Sequence, residues 1–364
     1  MKKKIIFSSY DDIGNPFYAG GGATAIHQVA SRLSDTYDVT VLTGNYKGAK
    51  NERKDTILYK RIGPSFFGPK ISQLLFYFIL PWYVRKEKFD IWIESFTPPF
   101  STSCLQLFTK KPVIGLVHML SGSDMERKYK LPFQFFEKKG LKTYKYFIVL
   151  QEAIKKRIET INKSAQIFVI PNGIAAVYEN FEKDSGNDIV FIGRIEYNQK
   201  GLDLLIDAYH TIASKVTANL IIAGSGAKQD IFLLKKKIKE YGLEKRIVLI
   251  GKIKGKAKDS LLRNCSLVVI PSRFETFSLV ALEAMNYGKP IISFAIKGLD
   301  WLFAECAKKI TPFDTKSFGQ MMYTILNDTK LQNEMSVAGR RIAKRYSWEN
   351  IIEEYKKVVT LLLP

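Results

Sequence analysis

The sequence has very few side chains that bind transition metals. Its 364 residues include only three histidines and three cysteines. Cys104, Cys265 and Cys306 lie far apart and form no C-x-x-C pair, so the ligand spacing of a zinc site is missing. We therefore expect no metal site, and the cysteines fit small apolar positions of a protein in a reducing compartment.

The sequence also lacks an apolar run long enough to cross a membrane. The longest run, Leu74 to Val84, has 11 residues and contains Pro81, whereas a membrane span needs about 20 residues. The three lysines after Met1 lead directly into a short strand pattern, without the long apolar stretch of a secretory signal. We expect a cytoplasmic protein, with peripheral attachment to the inner face of the cell membrane as an open alternative.

Positive charge is the most one-sided property of the composition. The chain has 56 Lys and Arg against 35 Asp and Glu, which gives a net charge of +21. Residues 1–175 contribute 27 basic and 14 acidic side chains, and residues 176–364 contribute 29 and 21, so the first half is the more basic. This excess favours nucleic acid, an anionic membrane surface or phosphorylated substrates as partners. No fold signature of nucleic-acid binding accompanies the charge, so we expect no nucleic-acid partner.

Short β-branched runs alternate with helical periodicity along the chain. In the first half, six buried strands are predicted at Lys4–Ser9, Val39–Thr43, Asp90–Glu94, Pro112–His118, Tyr146–Leu150 and Gln166–Ile170. In the second half, five buried strands are predicted at Asp188–Gly193, Leu220–Ala223, Ile247–Ile250, Leu267–Ile270 and Pro290–Phe294. Such alternation indicates parallel sheets that are covered by helices on both faces.

Two series of strands and a length above 300 residues predict two domains. Pro171-Asn172-Gly173 is a strong turn signal between the series. We predict an α/β protein with two Rossmann-like domains, residues 1–172 and 173–347, and an amphipathic C-terminal helix in 348–364 that packs on one of them. Because ligands bind at the carboxyl ends of such strands, these ends are expected to face each other across a cleft.

The segment from Phe274 to Glu283 follows a predicted strand and opens a predicted helix near Ser278. Unpaired backbone N–H groups and the helix dipole favour an anion at such a helix start. Glu275 and Glu283 would lie at most ~12 Å apart at a helical rise of ~1.5 Å per residue, about the reach from a sugar to a ribose across a diphosphate. Carboxylates are good acceptors for hydroxyl groups. Taken alone, the segment could also be a capped helix with two solvated glutamates.

A second loop, Gly193 to Gly201, leads from a predicted strand into a predicted helix. Its Arg194 offers a planar fork for phosphate oxygens, and its Lys200 offers a mobile positive charge. Side chains that neutralise a diphosphate would remove the need for a divalent cation. Taken alone, the loop could also be an ordinary connection with surface charges.

Further candidates lie at other predicted strand ends. Gly20, Gly21 and Gly22, between the first strand and the first helix, permit a close approach of the backbone to an anion or a sugar. Neither they nor Gly224 complete a G-x-G-x-x-G fingerprint, so each indicates no more than a tight turn. A lone histidine is more often structural than catalytic, but its place at a strand end makes His118 the strongest candidate of the three.

Together and in this order, these segments resemble the retaining glycosyltransferases of family 4, which have the GT-B fold. The resemblance covers essentially the whole chain, and the pair of Glu275 and Glu283 is its most specific mark. Tyr346-Ser347-Trp348 resembles the segment that crosses back to the first domain in this family. The resemblance therefore implies that the C-terminal helix in 348–364 joins residues 1–172 as an acceptor domain, and that residues 173–347 form the nucleotide-sugar donor domain. Two positions depart from the family pattern, Ser278 where glycine is frequent and Ala175 where aspartate is frequent, which leaves the donor sugar open.

The resemblance implies a hexosyltransferase that uses a nucleotide sugar such as a UDP- or GDP-hexose. Its acceptor would be a glycan or a lipid-linked acceptor, as in the assembly of polysaccharides, glycolipids or N-glycan precursors. Retention would follow from front-face attack, in which the leaving phosphate helps to deprotonate the acceptor. No metal, cofactor or protein nucleophile is implied.

The resemblance also implies individual roles. Glu283 would hold the ribose, Arg194 and Lys200 would hold the diphosphate, Glu275 would contact the donor sugar, and His118 would lie beside the sugar and the acceptor. The residues implied as catalytic are His118, Arg194, Lys200 and Glu275. The residues implied as donor-binding are Gly20, Gly21, Gly22, Gly193, Gly224, Phe277, Ser278, Leu279 and Glu283.

Two segments of the first predicted domain are rich in aromatic side chains. Ile71 to Val84 is an apolar helix candidate, and Met125 to Tyr146 interleaves Phe and Tyr with Lys and Arg. This mixture suits a membrane interface, so the first domain is predicted to dock on an anionic membrane and to act on a lipid-linked acceptor. The alternative is a core helix beside a solvated basic face.

Two other functions stay open from the sequence. A nucleotide-sugar epimerase can share the same two-domain fold and would need no acceptor. A non-catalytic protein could bind a nucleotide sugar or a nucleic acid through its positive charge.

Overall fold

The computed structural model of the chain describes residues 2–15, 20–98, 100–175 and 186–363. The chain forms two compact units: unit 1 is Met1–Gly173 with Trp348–Pro364, and unit 2 is Ile174–Ser347. The predicted domain boundary between residues 172 and 173 lies one residue away from this division.

Unit 1 is built on an eight-stranded sheet. Its strands are β1 (Lys4–Ser9), β2 (Asp38–Gly44), β3 (Glu52–Lys54), β4 (Ile57–Ile62), β5 (Ile91–Phe96), β6 (Val113–Val117), β7 (Tyr146–Val149) and β8 (Gln166–Val169). Their order is β3-β4-β2-β1-β5-β6-β7-β8. Every neighbouring pair is parallel except β3 with β4, and Ile6 is the register partner of both Thr40 and Trp92. The central strands are buried almost throughout, because helices cover both faces.

The prediction missed the strands β3 and β4 at one edge of this sheet. They form an antiparallel hairpin around Asp55 and Thr56, which both have a positive φ, as the mirror-image hairpin turns require. β3 is exposed along its length, and β4 alternates buried with partly exposed residues. Neither therefore has the continuous apolar run by which the buried strands were identified.

In the described residues, five α-helices accompany this sheet before the chain enters unit 2. They are α1 (Gly21–Leu33), α2 (Pro69–Lys86), α3 (Gly122–Tyr129), α4 (Phe133–Leu141) and α5 (Glu152–Ile161). One apolar cluster includes buried residues of α1, and a second includes buried residues of α2. Within the described residues, none of the helices of either unit combines the length and the apolar character needed to cross a bilayer.

Unit 2 contains a six-stranded parallel sheet. Its strands are β9 (Asp188–Ile192), β10 (Leu220–Ala223), β11 (Ile247–Gly251), β12 (Cys265–Ile270), β13 (Ile291–Phe294) and β14 (Ala307–Ile310). Their order is β11-β10-β9-β12-β13-β14, with β9 and β12 at the centre. The prediction missed β14, a four-residue edge strand whose two central residues are lysines, because it lacks a β-branched run.

Seven α-helices follow the first strand of unit 2 in the part of the chain that the structure describes. They are α6 (Leu202–His210), α7 (Lys228–Glu240), α8 (Lys256–Asn264), α9 (Leu279–Asn286), α10 (Thr315–Asn327), α11 (Thr329–Ala343) and α12 (Trp348–Leu362). The last one, α12, belongs to unit 1, where it packs on α1 and buries Trp348 and Tyr355 in the same apolar cluster. A Cβ at Gly173 would lie 2.5 Å from the Trp348 ring, so the glycine permits this close approach. The C-terminal helix thus returns to the first unit, as the fold prediction had it.

Candidate active site

Several loops of unit 2 meet at one edge of its sheet. Because the sheet is parallel, the carboxyl ends of β9, β10, β12 and β13 all lie at this edge. The N–H of Ile195 donates to the carbonyl of Ser225 at 2.8 Å, and the N–H of Arg273 donates to the carbonyl of Gln199 at 2.9 Å. The loops after β9, β10 and β12 are thus joined into one hydrogen-bonded platform.

Two of the predicted glycines pack against each other in this platform. A Cβ at Gly224 would lie 1.8 Å from the carbonyl oxygen of Gly193, a distance that no side chain tolerates. Gly224 therefore lets the loop after β10 touch the loop after β9. This contact alone accounts for glycine at that position.

The predicted pair of Lys200 and Glu275 is brought into direct contact. Lys200 Nζ lies 2.7 Å from Glu275 Oε1, and Ser272 Oγ donates to the same oxygen at 2.7 Å. Both members of the pair are largely buried, with 15% and 13% of the side chains exposed. Among the described residues, no donor reaches Glu275 Oε2, so one carboxylate oxygen is anchored and the other can accept a hydrogen bond.

The backbone around Glu275 is held by residues that sequence reasoning missed. A Cβ at Gly298 would lie 1.8 Å from the Glu275 carbonyl oxygen, so the loop after β13 closes tightly over this peptide. Arg273 makes a bidentate pair with Asp203, at 2.7 Å for each bond, and also donates to the Asn198 carbonyl at 2.7 Å. It thereby ties the Glu275 loop to the Lys200 loop and to α6.

The helix that follows Glu275 begins one residue after Ser278, close to its predicted start. The Ser278 hydroxyl accepts the N–H of Ala281 at 3.2 Å and so caps α9, which a glycine could not do with a side chain. In the described part of the chain, no acceptor faces the N–H groups of Leu279 or Val280, as expected for a first helical turn. Phe277 is buried and its ring stacks on Trp301, with ring centroids 4.4 Å apart.

The second glutamate of the motif also has a lysine partner. Lys258 Nζ, on α8, lies 2.5 Å from Glu283 Oε1, on α9. The other oxygen, Oε2, meets no donor within the part of the chain that the structure describes. A second contact joins the same two helices, because Tyr287, just after α9, is hydrogen-bonded to Asp259 of α8. Burial, together with this hydrogen bond, raises the pKa of Tyr287 to about 12. Sequence reasoning gave Lys258 no role.

Arg194 lies apart from the buried pair of Lys200 and Glu275. Its side chain is 70% exposed, and its guanidinium pairs with Glu196 at 2.8 Å. The structure therefore brings together Lys200 and Glu275, while it leaves Arg194 at the solvent edge of the same loop.

The predicted residues of unit 1 form their own group. A Cβ at Gly22 would be 3.7 Å from His118 Cδ2, so the imidazole, just after β6, packs against the start of α1. Its Nε2 is shielded from solvent and meets no partner among the described residues. Burial lowers the pKa of His118 to about 4, so the ring is neutral at neutral pH. Gly21 and Gly22 belong to the first turn of α1, which corrects the prediction that they form a loop, and Gly20 is the N-cap.

Within the described ranges, no group of three or more His, Cys, Asp or Glu side chains is arranged to hold a metal ion. The positive groups beside the glutamates are lysines from the loop after β9 and from α8.

Two family signatures match successive parts of the chain. The family described as Glycosyltransferase Family 4 matches residues 19–176. The family described as Glycosyl transferases group 1 matches residues 176–342, the part of the chain that contains both glutamates and their lysine partners.

Two glycosyltransferases of the archaeon Methanocaldococcus jannaschii, both described as uncharacterized, are similar in sequence. One is 31% identical over 184 residues, which is 50% of this chain and 46% of that protein, so the match spans about half of the relative. The other is 26% identical over 354 residues and covers 94% of both chains.

Solved glycosyltransferase structures share the fold. Sucrose-phosphate synthase from Thermosynechococcus elongatus has a TM-score of 0.84 at 20% identity and covers 99% of both chains. HepE from Anabaena, solved in complex with UDP-glucose, has a TM-score of 0.75 at 18% identity and covers 98% of this chain and 99% of that chain. The two family signatures and the shared two-sheet architecture lead to one conclusion: the chain belongs to family 4 of the glycosyltransferases and has the GT-B fold.

Proposed function

We propose that this protein transfers a hexose from a nucleotide-sugar donor to a glycan or lipid-linked acceptor, with retention of configuration and without a metal ion. The observation that carries the proposal is the buried pair of Lys200 and Glu275 beside the start of α9. One edge of the sheet thus offers a cation, a carboxylate and free helical N–H groups. The cation and the N–H groups suit the negative charge of a diphosphate, and the carboxylate suits the hydroxyl groups of a sugar.

The two anchored glutamates support a donor with hydroxyl groups at both ends. Glu275 and Glu283 each use Oε1 for a lysine, and each leaves Oε2 available to accept a hydroxyl hydrogen. We assign Glu283 to the ribose and Glu275 to the sugar. The N–H groups of Leu279 and Val280 lie between them in sequence and are available to the diphosphate.

The proposed reaction needs stabilisation of the leaving group more than a protein nucleophile. The bond between the anomeric carbon and the phosphate oxygen breaks, and the bond to the acceptor oxygen forms on the same face. The acceptor proton passes to the departing phosphate oxygen. Lys200 would balance the negative charge that grows on this phosphate. Arg194 lies at the solvent edge, and its guanidinium would exchange its exposed pairing with Glu196 for the phosphate.

His118 would act in this reaction as a neutral group. Its pKa of about 4 leaves it uncharged above that pH, so it can donate or accept a hydrogen bond but supplies no positive charge. The shielded Nε2 without a described partner is the atom we assign to a hydroxyl of the sugar or acceptor.

We place this reaction in the cytoplasm, at the inner face of the cell membrane when the acceptor is lipid-linked. The proposal includes UDP- or GDP-hexose as the donor class. HepE was solved with UDP-glucose, which makes a UDP-sugar the first donor to test.

The test combines donor screening with product analysis. Thermal shifts with UDP, GDP, ADP and their sugars should single out one base, because stabilisation grows with the ratio of ligand concentration to dissociation constant. With that donor and EDTA, transfer to an added acceptor should persist. Production of an epimerised sugar from the donor alone, with no transfer, would replace the proposal with the epimerase alternative. Binding of no nucleotide sugar would reject both.

A further inference from the structure

Large apolar side chains are exposed together on unit 1. Six of them are at least 51% exposed, and we call them the aromatic face: Phe66, Phe67, Phe78, Trp82, Phe135 and Phe136. Single exposed apolar residues are ordinary on soluble proteins, but a contiguous patch marks an interaction surface.

The helix α2 presents one side of this face. Ile71, Phe78 and Trp82 are exposed and recur at spacings of seven and four residues, which places them on one stripe. Phe76 and Leu80, on the opposite side, are buried in the core. A helix that is apolar on both sides is normally buried on both sides. The outer stripe of α2 is apolar but is not covered by the core of unit 1.

Phe100 makes the aromatic face continuous from α2 to α4. Its ring centroid lies 6.4 Å from that of Phe78 and 6.4 Å from that of Phe136. Phe66 and Phe67, whose ring centroids are 4.2 Å apart, are an exposed pair just before the start of α2. Side chains of α2 and α4 thus meet through Phe100 in one surface.

Lysines lie directly beside the exposed rings. Lys86 Nζ is 4.4 Å from the centroid of Trp82, and Lys139 Nζ is 4.5 Å from that of Phe135. On a peripheral membrane protein, aromatic rings enter the interfacial region of the bilayer, while lysine ammonium groups stay at the level of the lipid headgroups. The pairs Lys86–Trp82 and Lys139–Phe135 have this arrangement. A second copy of the chain would instead bring lysines of like charge against each other, which opposes self-association through this face.

We propose that the aromatic face, with Lys86 and Lys139, docks unit 1 on an anionic lipid bilayer. Docking on a bilayer extends the proposed function, and it rests on that function because a lipid-linked acceptor would lie in the bilayer. Apolar burial and attraction to anionic headgroups act together, so neither alone is expected to give firm attachment.

Vesicle flotation of the full chain tests this proposal. The chain should float with vesicles that contain phosphatidylglycerol at low salt, but not with pure phosphatidylcholine, and high salt should release it. Lys86→Gln with Lys139→Gln should weaken binding about 30-fold. Phe78→Ser with Trp82→Ser should weaken it at least as much. The matched control is Phe232→Ser with Lys235→Gln, two exposed residues of α7 in unit 2, which should bind like the wild type.

Two measurements on the same samples separate the outcomes. Equal melting temperatures exclude misfolding of the variants, and stabilisation by UDP or GDP reports the donor site independently of docking. No flotation of the wild type, or equal losses in the control, overturns the docking even when nucleotide binding persists. Alternatively, light scattering would detect a dimer, or a binding assay a nucleic-acid complex, in a protein that does not bind vesicles. If the Phe78 and Trp82 substitutions abolish that complex, the membrane proposal is overturned in favour of that partner.

Discussion

Lys258 and Glu283 couple two helices of unit 2, with Lys258 Nζ 2.5 Å from Glu283 Oε1. The same relationship joins Lys200 to Glu275 at 2.7 Å. Each glutamate of the motif is therefore fixed through one oxygen by a lysine from a different segment. This orientation leaves the second oxygen of each carboxylate to the ligand.

Loss of the α8 lysine should weaken donor binding more than chemistry. In Lys258→Met, Glu283 keeps its charge but loses the group that orients it, so KM for the donor should rise about tenfold with little change in kcat. Lys256→Met, an exposed neighbour on the same helix, should leave both constants unchanged. A 2′-deoxyribose donor should lose less affinity in Lys258→Met than the natural donor does. Equal losses for both donors would contradict the assignment to the ribose.

Arg273 should matter for stability as well as for activity. Arg273→Ala leaves Asp203 without its bidentate partner and frees the loop that carries Glu275, so the free energy of unfolding should fall by about 1–3 kcal/mol. Arg273→Lys should recover only part of this loss, since ammonium cannot reproduce the fork. Chemical denaturation of these variants beside Arg341→Ala, an exposed arginine of α11, measures the effect. A fall no larger than that of the control would show that the pair adds nothing.

Glu94, in β5 of unit 1, should make stability depend on pH. Burial raises the pKa of this carboxyl to about 7, although hydrogen bonds from Tyr144 and Ser103 oppose the shift. Because the folded pKa is the higher one, the stabilisation is complete below about 4.5 and is lost as the pH rises through about 7. The free energy of unfolding of the wild type should fall relative to that of Glu94→Gln by at most about 1.4 kcal/mol per pH unit. A difference that does not change with pH would contradict this.

His118, in contrast to Glu94, should make the free energy of unfolding fall as the pH decreases. Burial lowers its pKa to about 4, so its contribution is complete above about 6.5 and is lost as the pH falls through 4. Stability of the wild type relative to His118→Asn should decline over that window. The pH profile of kcat should also show no change near pH 6.5 that is due to His118. A change in kcat near pH 6.5 in the wild type that is absent from His118→Asn would refute the proposal that His118 acts as a neutral group.

The strands that flank the candidate site were predictable because they are buried on both faces. β9, β10 and β12 have apolar runs with turn signals after them, and α9 starts next to its predicted position at Ser278. The edge strand β14 was missed because its sequence is half lysine. The central strands and the start of α9 are the elements that place Glu275 and Glu283.

The partners of the motif residues were not predictable in the same way. Lys258 lies 25 positions before Glu283, and Arg273 lies 70 positions after Asp203. Such pairs depend on how helices pack on the sheet, and no local pattern marks one lysine among the 56 basic residues. Gly298 likewise carries no local signal, because its need for a missing side chain arises only from contact with the Glu275 backbone.

The most direct test of the account is transfer by Lys200→Ala with the preferred nucleotide-sugar donor in the presence of EDTA. Removal of the cation beside Glu275 should lower kcat/KM by roughly 10²–10³-fold, while Lys215→Ala, an exposed lysine of the same unit, should stay within twofold of the wild type on the scale of surface substitutions. Melting temperatures should show that both variants fold. Near-complete activity of a folded Lys200→Ala variant would contradict the proposed site.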